Sequence, residues 1–191
     1  MVAVRIGVLA LQGDFALHAR ALERCGARAV EVRKTAELDD VGGLVIPGGE
    51  STTLLKLMGD FGFVPALEKF RAGGRPIFGT CAGLILLARE VLNPAQPSLG
   101  FLDATVERNA YGRQRESFEA RGEARLDGTP VPIEMVFIRA PRIRRVGPGV
   151  AVLAAHGGEP VLVREGSILA GTFHPELTDS TAVHAYFRRM V

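Results

Sequence analysis

The sequence predicts an α/β protein of three layers, with a mostly parallel, doubly wound sheet between two layers of helices. Three observations predict it. Short apolar runs alternate with helix candidates through the first half of the chain. Those runs are near-continuous in apolar character, as strands buried on both faces require. Glycine-rich loops follow their carboxyl ends, where ligands bind in open parallel sheets.

Taken in order, Val4–Ala10 is the first strand, Gln12-Gly13-Asp14 a loop and Phe15–Arg24 a helix that stops near Gly26. Arg28–Val32 is a second strand, and Gly43–Ile46 a third that ends at Pro47-Gly48-Gly49. Ser51 is placed to cap a helix running to about Met58. Val64–Arg71 is a further helix, ended by Gly73-Gly74. Pro76–Phe78 is the next strand, and Ala82–Glu90 the helix that leaves it.

From about Leu99 to Phe173 the pattern changes to short strands and turns. Val150–Ala155 and Val161–Val163 flank a turn at 156–160, Ser167–Phe173 is another strand, and Thr178–Arg189 is a terminal helix. With no repeat and no linker, residues 1–191 are expected to form a single domain. Its strand-rich half is expected to extend the same sheet and cover one end of it.

Composition excludes several classes. A net charge of +2 over 191 residues gives no basis for nucleic-acid or membrane-surface binding. The apolar stretch Ile6–Leu11 is too short to span a bilayer. The two cysteines, Cys25 and Cys81, can build neither a disulfide framework nor a cysteine-only zinc site. A reducing cytoplasm is the expected setting, and no metal or cofactor is called for.

Cys81 carries the chemistry. Gly79-Thr80-Cys81-Ala82-Gly83 joins a strand candidate to a helix candidate, the G-x-C-x-G form of a nucleophile elbow. A cysteine nucleophile needs a base to move its proton. Of the four histidines, His18 and His184 fall on helix candidates with polar neighbours and are expected to face solvent, and His156 precedes a Gly-Gly turn. His174 instead sits at a strand end in Phe173-His174-Pro175-Glu176. In an extended segment His174 and Glu176 project to the same side, so the carboxylate can orient the imidazole. Alone, His174-Pro175-Glu176 would be a surface turn; beside a cysteine elbow it completes a Cys-His-Glu constellation. The oxyanion formed by thiolate attack on an amide needs N–H donors. The backbone of Ala82 and that of the Gly48-Gly49 loop are placed to give them. Cys25, near a helix end, is expected to be an inert structural thiol.

Pro47–Thr52, Gly79–Gly83 and Phe173–Glu176 resemble the motifs of class I (triad) glutamine amidotransferases. Four further stretches narrow the likeness to the glutaminase subunits of pyridoxal 5'-phosphate synthase: Ala10–Phe15, Arg108–Gln114, Phe137–Pro141 and Glu176–Thr178. Glu116 stands where that family often carries Asp. The resemblance implies a flavodoxin-like sheet and hydrolysis of L-glutamine to glutamate and ammonia. It implies transfer of the ammonia to a separate synthase subunit, a TIM barrel, in a hetero-oligomeric complex. It implies Cys81 as nucleophile with His174 and Glu176, and substrate contacts from Gly48, Gly49, Glu50, Arg108, Ile138 and Arg139. Gln12 and Gly13 would meet the synthase. Either Arg108 or Arg139 suits the α-carboxylate of glutamine. Three alternatives remain at this level: a glutaminase serving another synthase, a cysteine hydrolase on the same scaffold, and a non-catalytic regulatory subunit.

Overall fold

The computed structural model describes residues 3–109 and 117–191. The remainder of the Arg108–Gln114 motif after Asn109, and Glu116, lie outside the described residues.

In chain order the elements are β1 (Arg5–Leu9), α1 (Phe15–Arg24), β2 (Arg28–Val32), β3 (Gly43–Ile46), α2 (Ser51–Asp60), α3 (Phe63–Ala72), β4 (Ile77–Thr80) and α4 (Ala82–Leu87). They continue with β5 (Ala88–Leu92), β6 (Leu102–Glu107), β7 (Ser117–Leu126), β8 (Thr129–Ile138), β9 (Arg142–Val146), β10 (Ala151–His156), β11 (Glu159–Glu165), β12 (Ile168–Gly171) and α5 (Ala182–Met190). Short 3-10 turns occupy Thr35–Asp40 and Pro175–Leu177.

Among the described residues the central sheet has seven strands in the order β10-β11-β12-β4-β3-β1-β2. β2, β1, β3, β4 and β12 run parallel, while β10 and β11 add an antiparallel edge. This is the doubly wound order, with its switch point between β1 and β3. Register is fixed at the centre, where Ile77 of β4 lies between Leu44 of β3 and Ile168 of β12.

Alternation along the strands feeds two cores. Leu44, Ile46, Ile77 and Ile168 face Leu54 and Met58 of α2, Phe63, Leu67 and Phe70 of α3, and Leu84, Ile85, Leu86 and Leu87 of α4. Ile6, Val8, Val45, Phe78 and Leu169 face Leu22 of α1 and Tyr186 and Phe187 of α5. Each large apolar side chain buried in this way contributes roughly 1.5–3 kcal/mol. No helix among the described residues is long and apolar enough to cross a membrane.

The sequence-based expectations need four corrections. The strand-rich half extends the central sheet only through β10, β11 and β12. β5, β6 and β9 form a three-stranded sheet over the first core, and β7 and β8 a hairpin over the second. α4 ends at Leu87 rather than Glu90, because 88–92 pair with β6 instead of continuing the helix. Ser51 is the first residue of α2 and not its cap; the Glu50 side chain accepts from the Thr52 N–H at 3.4 Å. The last helix starts at Ala182 rather than Thr178.

The elbow depends on close backbone approach. A Cβ on Gly83 would lie 2.2 Å from the Ile46 carbonyl oxygen, and one on Gly79 would lie 2.6 Å from the Gly83 backbone. Both obstacles are main-chain atoms, which cannot swing aside. Gly83→Ala is expected to cost about 1–3 kcal/mol, the usual penalty for overpacking. Urea unfolding should show a lower midpoint with an unchanged slope. An unchanged midpoint would contradict the contact.

Candidate active site

Cys81 sits between β4 and α4 with φ 50° and ψ −101°, a conformation uncommon for a residue with a side chain. Its N–H donates to the Gly171 carbonyl at the end of β12 at 2.9 Å, and its carbonyl accepts the first helical bond from Ile85. Cys81 is 8% exposed, so its thiol meets the cleft through a narrow opening.

His174 follows β12, and its N–H donates to the Val136 carbonyl of β8 at 2.8 Å. Its Nδ1 lies 2.7 Å from Glu176 Oε1. The meeting is made differently from the extended arrangement the sequence suggested. Pro175 opens a 3-10 turn, and the turn folds Glu176 back beneath the ring. With Nδ1 on the carboxylate, Nε2 is the ring nitrogen left for Cys81, whose side chain stands beside the His174 ring at Gly48. Burial disfavours the imidazolium, but the neighbouring Cys81 and the hydrogen-bonded Glu176 outweigh it, and the imidazole is pushed up to about 10.

Gly48 and Gly49 carry the chain past this pair. A Cβ on Gly48 would lie 2.5 Å from His174 Cε1 and 3.5 Å from Cys81 Cβ, so a side chain there would fill the site. The Gln12–Asp14 loop braces the same segment. Asp14 N–H donates to the Gly48 carbonyl at 3.3 Å, and Glu50 N–H donates to Gln12 Oε1 at 3.1 Å. Gly13 is needed there, because any Cβ on it would meet the Gly48 oxygen at 1.8 Å.

Outside Cys81 opens a cleft of about 340 Å³, large enough for a free amino acid. Of the predicted residues, Gln12, Gly49, Glu50, Cys81, Arg108, Ile138, Arg139 and His174 line it. Gly13, Gly48, Ala82 and Glu176 are not on its wall; Glu176 lies behind His174 and Ala82 opens α4. Larger grooves elsewhere hold none of the predicted residues, so chemistry rather than size marks the site. Arg108 donates to Glu50 Oε1 at 3.3 Å across the mouth. Arg139 holds a left-handed φ of 41°, backbone strain of the kind that clusters at functional sites.

Four lining residues were not singled out from the sequence: Asp14, Ser51, Ile85 and Asn109. Asp14, Ser51 and Asn109 fall inside the motif stretches, which was the available signal. Asp14, His174 and Glu176 place donor atoms within 4.8 Å of one another, a spacing compatible with a cation. The His174–Glu176 hydrogen bond accounts for two of the three without one.

His18 and His184 overturn the expectation of solvent exposure: both are 0% exposed. His18 Nδ1 lies 2.9 Å from His184 Nε2, and His18 Nε2 lies 3.0 Å from Thr80 Oγ1 and 3.3 Å from Glu176 Oε2. The helical spacing His18-Ala21-Leu22 was the missed signal, since those three residues form the buried face of α1. His156 is half-buried and packs against Phe118 and Phe137. The Cys25 thiol donates to the Thr181 carbonyl, and burial pushes it up, in keeping with an inert thiol.

The sequence profile of the SNO glutamine amidotransferase family matches residues 8–191. The chain belongs to this family. It is 59% identical over 188 residues to the pyridoxal 5'-phosphate synthase subunit PdxT of Koribacter versatilis, covering 98% of this chain and 96% of that one. It is 51% identical to the subunit of the same name from Desulforudis audaxviator, covering 96% and 97%. A crystal structure of a glutamine amidotransferase superposes with a TM-score of 0.89 at 50% identity, covering 97% of each chain. A subunit structure of PurLQS from Thermotoga maritima, at 16% identity and a TM-score of 0.70, shares the fold.

The raised His174 value has a definite consequence for stability. A group whose folded value lies above its unfolded one stabilises fully below the unfolded value, near 6.5 for histidine, and loses that contribution as pH rises through the folded value. Here the window runs from about 6.5 to about 10. NMR titration of His174 should show an imidazolium up to about pH 10. In Glu176→Gln the midpoint should fall, and an unmoved midpoint would show that the carboxylate does not hold the proton.

Proposed function

We propose that the chain is the glutaminase subunit of a pyridoxal 5'-phosphate synthase, hydrolysing L-glutamine to glutamate and ammonia through Cys81, His174 and Glu176. The observation that carries the reading is the junction at the ends of β4 and β12. There one imidazole stands beside a cysteine on an elbow and is hydrogen-bonded to a buried carboxylate at 2.7 Å. The relatives support the substrate: the chain belongs to a glutamine amidotransferase family, and relatives 59% and 51% identical to it bear the name of a pyridoxal 5'-phosphate synthase subunit.

The chemistry then runs as follows. Cys81 Sγ attacks the side-chain carboxamide of glutamine with its proton held by His174. The backbone N–H groups of Ala82 and Gly49 face the oxyanion that forms. His174 returns the proton to the departing nitrogen, which leaves as ammonia. Water, deprotonated by His174, attacks the thioester carbonyl, and glutamate leaves as the sulfur is released. Glu176 keeps Nδ1–H oriented throughout, so that Nε2 does the transfers.

Arg108 or Arg139 takes the α-carboxylate, Glu50 is set to meet the α-ammonium group, and Gly48 and Ile138 shape the cleft. The ammonia passes to a TIM-barrel synthase subunit in a hetero-oligomeric cytoplasmic complex, with Gln12 and Gly13 at the contact. Residues 1–191 act as one glutaminase domain, with no cofactor or metal of its own. The bracing of Gly48 and Glu50 by the Gln12–Asp14 loop supports control by that contact, because whatever moves the loop moves the oxyanion side of the site.

Cys81→Ala is expected to abolish glutamine hydrolysis while leaving the circular dichroism spectrum unchanged, and residual turnover would overturn the mechanism. A glutamine-analogue electrophile should label Cys81 and spare Cys25, as peptide mapping would show. Hydrolysis by the isolated chain should be weak and should rise about tenfold or more when the synthase subunit is added, since a preorganised oxyanion donor is worth at least that. Equal rates with and without the partner would remove the control.

A further inference from the structure

The proposed mechanism uses three side chains, yet the site contains two more buried imidazoles that it does not use. The Glu176 carboxylate is fully enclosed. One oxygen is taken by His174 Nδ1 at 2.7 Å. The other, Oε2, receives no closely directed hydrogen bond among the described residues; His18 Nε2 lies 3.3 Å from it. A buried carboxylate with one oxygen unheld is poorly solvated and free to turn.

The two histidines can be protonated in one consistent way. Burial lowers the His18 value far below the ordinary one, with His184 and then His174 adding to it. Burial lowers His184 to about 3, with Arg24 adding to it. Both rings are therefore neutral, with one N–H each. Suppose His18 carried its proton on Nδ1. It would donate to His184 Nε2, leaving the His184 proton on Nδ1, which has no partner among the described residues. His18 Nε2 would then turn a lone pair toward the carboxylate.

The opposite assignment removes both faults. His184 Nε2–H donates to His18 Nδ1, and His18 Nε2–H is shared between Thr80 Oγ1 and Glu176 Oε2. What remains at His184 Nδ1 is an unfilled acceptor, which costs less than a buried unpaired N–H. Every N–H in the series then points toward Glu176.

We infer that His18 is a positioning residue for this reaction, holding Glu176 Oε2 while His174 holds Oε1, and that His184 sets the His18 tautomer. The inference rests on the glutaminase reading. His18 touches neither substrate nor sulfur; it acts through Glu176 on the orientation of His174. Both rings pack edge-on against Phe78 and are 0% exposed.

Two measurements test it. In wild-type protein labelled with 15N-histidine, His18 and His184 should both appear as neutral Nε2–H tautomers between about pH 5 and 8, the range in which a free imidazole titrates. A His18 Nδ1–H tautomer would overturn the inference, and needs no variant to be seen. In the complex with the synthase subunit, His18→Leu should lower kcat roughly ten- to a hundredfold, the usual effect of removing a hydrogen bond to a charged group. KM for glutamine should stay within about twofold, because the cleft is untouched. The alkaline limb of the pH profile should move to lower pH. His18→Gln, whose amide N–H replaces Nε2–H, should recover most of kcat. Wild-type kcat and pH profile in a folded His18→Leu would overturn the inference, as would His18→Gln being no better than His18→Leu. A wild-type protein with no glutaminase activity in the complex would instead defeat the function reading, while the tautomers would still be read.

Discussion

The site depends on how closely α4 lies against the sheet. Gly83 rests on the Ile46 carbonyl of β3 and Gly79 of β4 rests on Gly83, with no room for a Cβ at either position. That contact leaves a single residue to turn the chain from strand to helix. Cys81 makes the turn at φ 50° and ψ −101°. Such a conformation costs on the order of 1–3 kcal/mol, and it persists because every residue of α4 is buried behind it. The cysteine is therefore held by packing, not by hydrogen bonds to its side chain. The same close stacking brings the Gly48 segment against the His174 ring and Cys81 Cβ. Cys81, His174 and the Gly48 segment thus meet where the backbone packs most closely.

A second constraint is electrostatic. The core that contains Phe78, Phe173 and Phe187 also encloses His18, His174, Glu176 and His184, each no more than 5% exposed. Burial acts in the same direction on all three imidazoles, against the charged form. Only His174 escapes, because it alone has both a cysteine and a hydrogen-bonded carboxylate acting to raise it; it is pushed up to about 10 while His184 falls to about 3. Equal burial with unequal neighbours separates the roles, one ring carrying a proton and two rings serving as neutral donors.

Much of this was legible in the sequence, and the exceptions have physical causes. β2 and β3 fall at the expected residues, since their apolar runs are bounded by charge or glycine. The elbow and the His174–Glu176 pair were legible because such chemistry needs particular residue types at fixed spacing. The α4–β5 boundary was not: nothing local distinguishes Ala88–Leu92 from more helix, and only pairing with β6 makes it a strand. Glu176 was placed correctly beside His174 for an incorrect reason, as a 3-10 turn replaces the extended segment. His18 and His184 were misplaced because imidazoles on helices read as polar. Their partnership spans 166 positions of sequence, which no local pattern encodes.

The start of α1 ties these two constraints together. Asp14 N–H bonds the Gly48 carbonyl, and the Asp14 carbonyl accepts the backbone N–H of His18 one turn further on. The His18 ring reaches Glu176, and Gln12 holds Glu50. One short stretch, from Gln12 to His18, therefore touches the Gly48–Glu50 segment at one end and the Glu176 carboxylate at the other. Helical hydrogen bonds stiffen its Phe15–His18 part, and the Asp14 N–H ties the start of that part to the Gly48 carbonyl. A partner seated on Gln12 and Gly13 would act on the oxyanion side directly and on Glu176 through the helix. Because a thiolate attack without an oxyanion donor and a base without an oriented proton both fail, coupling the two through one element makes the site complete or incomplete as a unit. That is the behaviour required of a subunit whose ammonia is useful only when a recipient is docked.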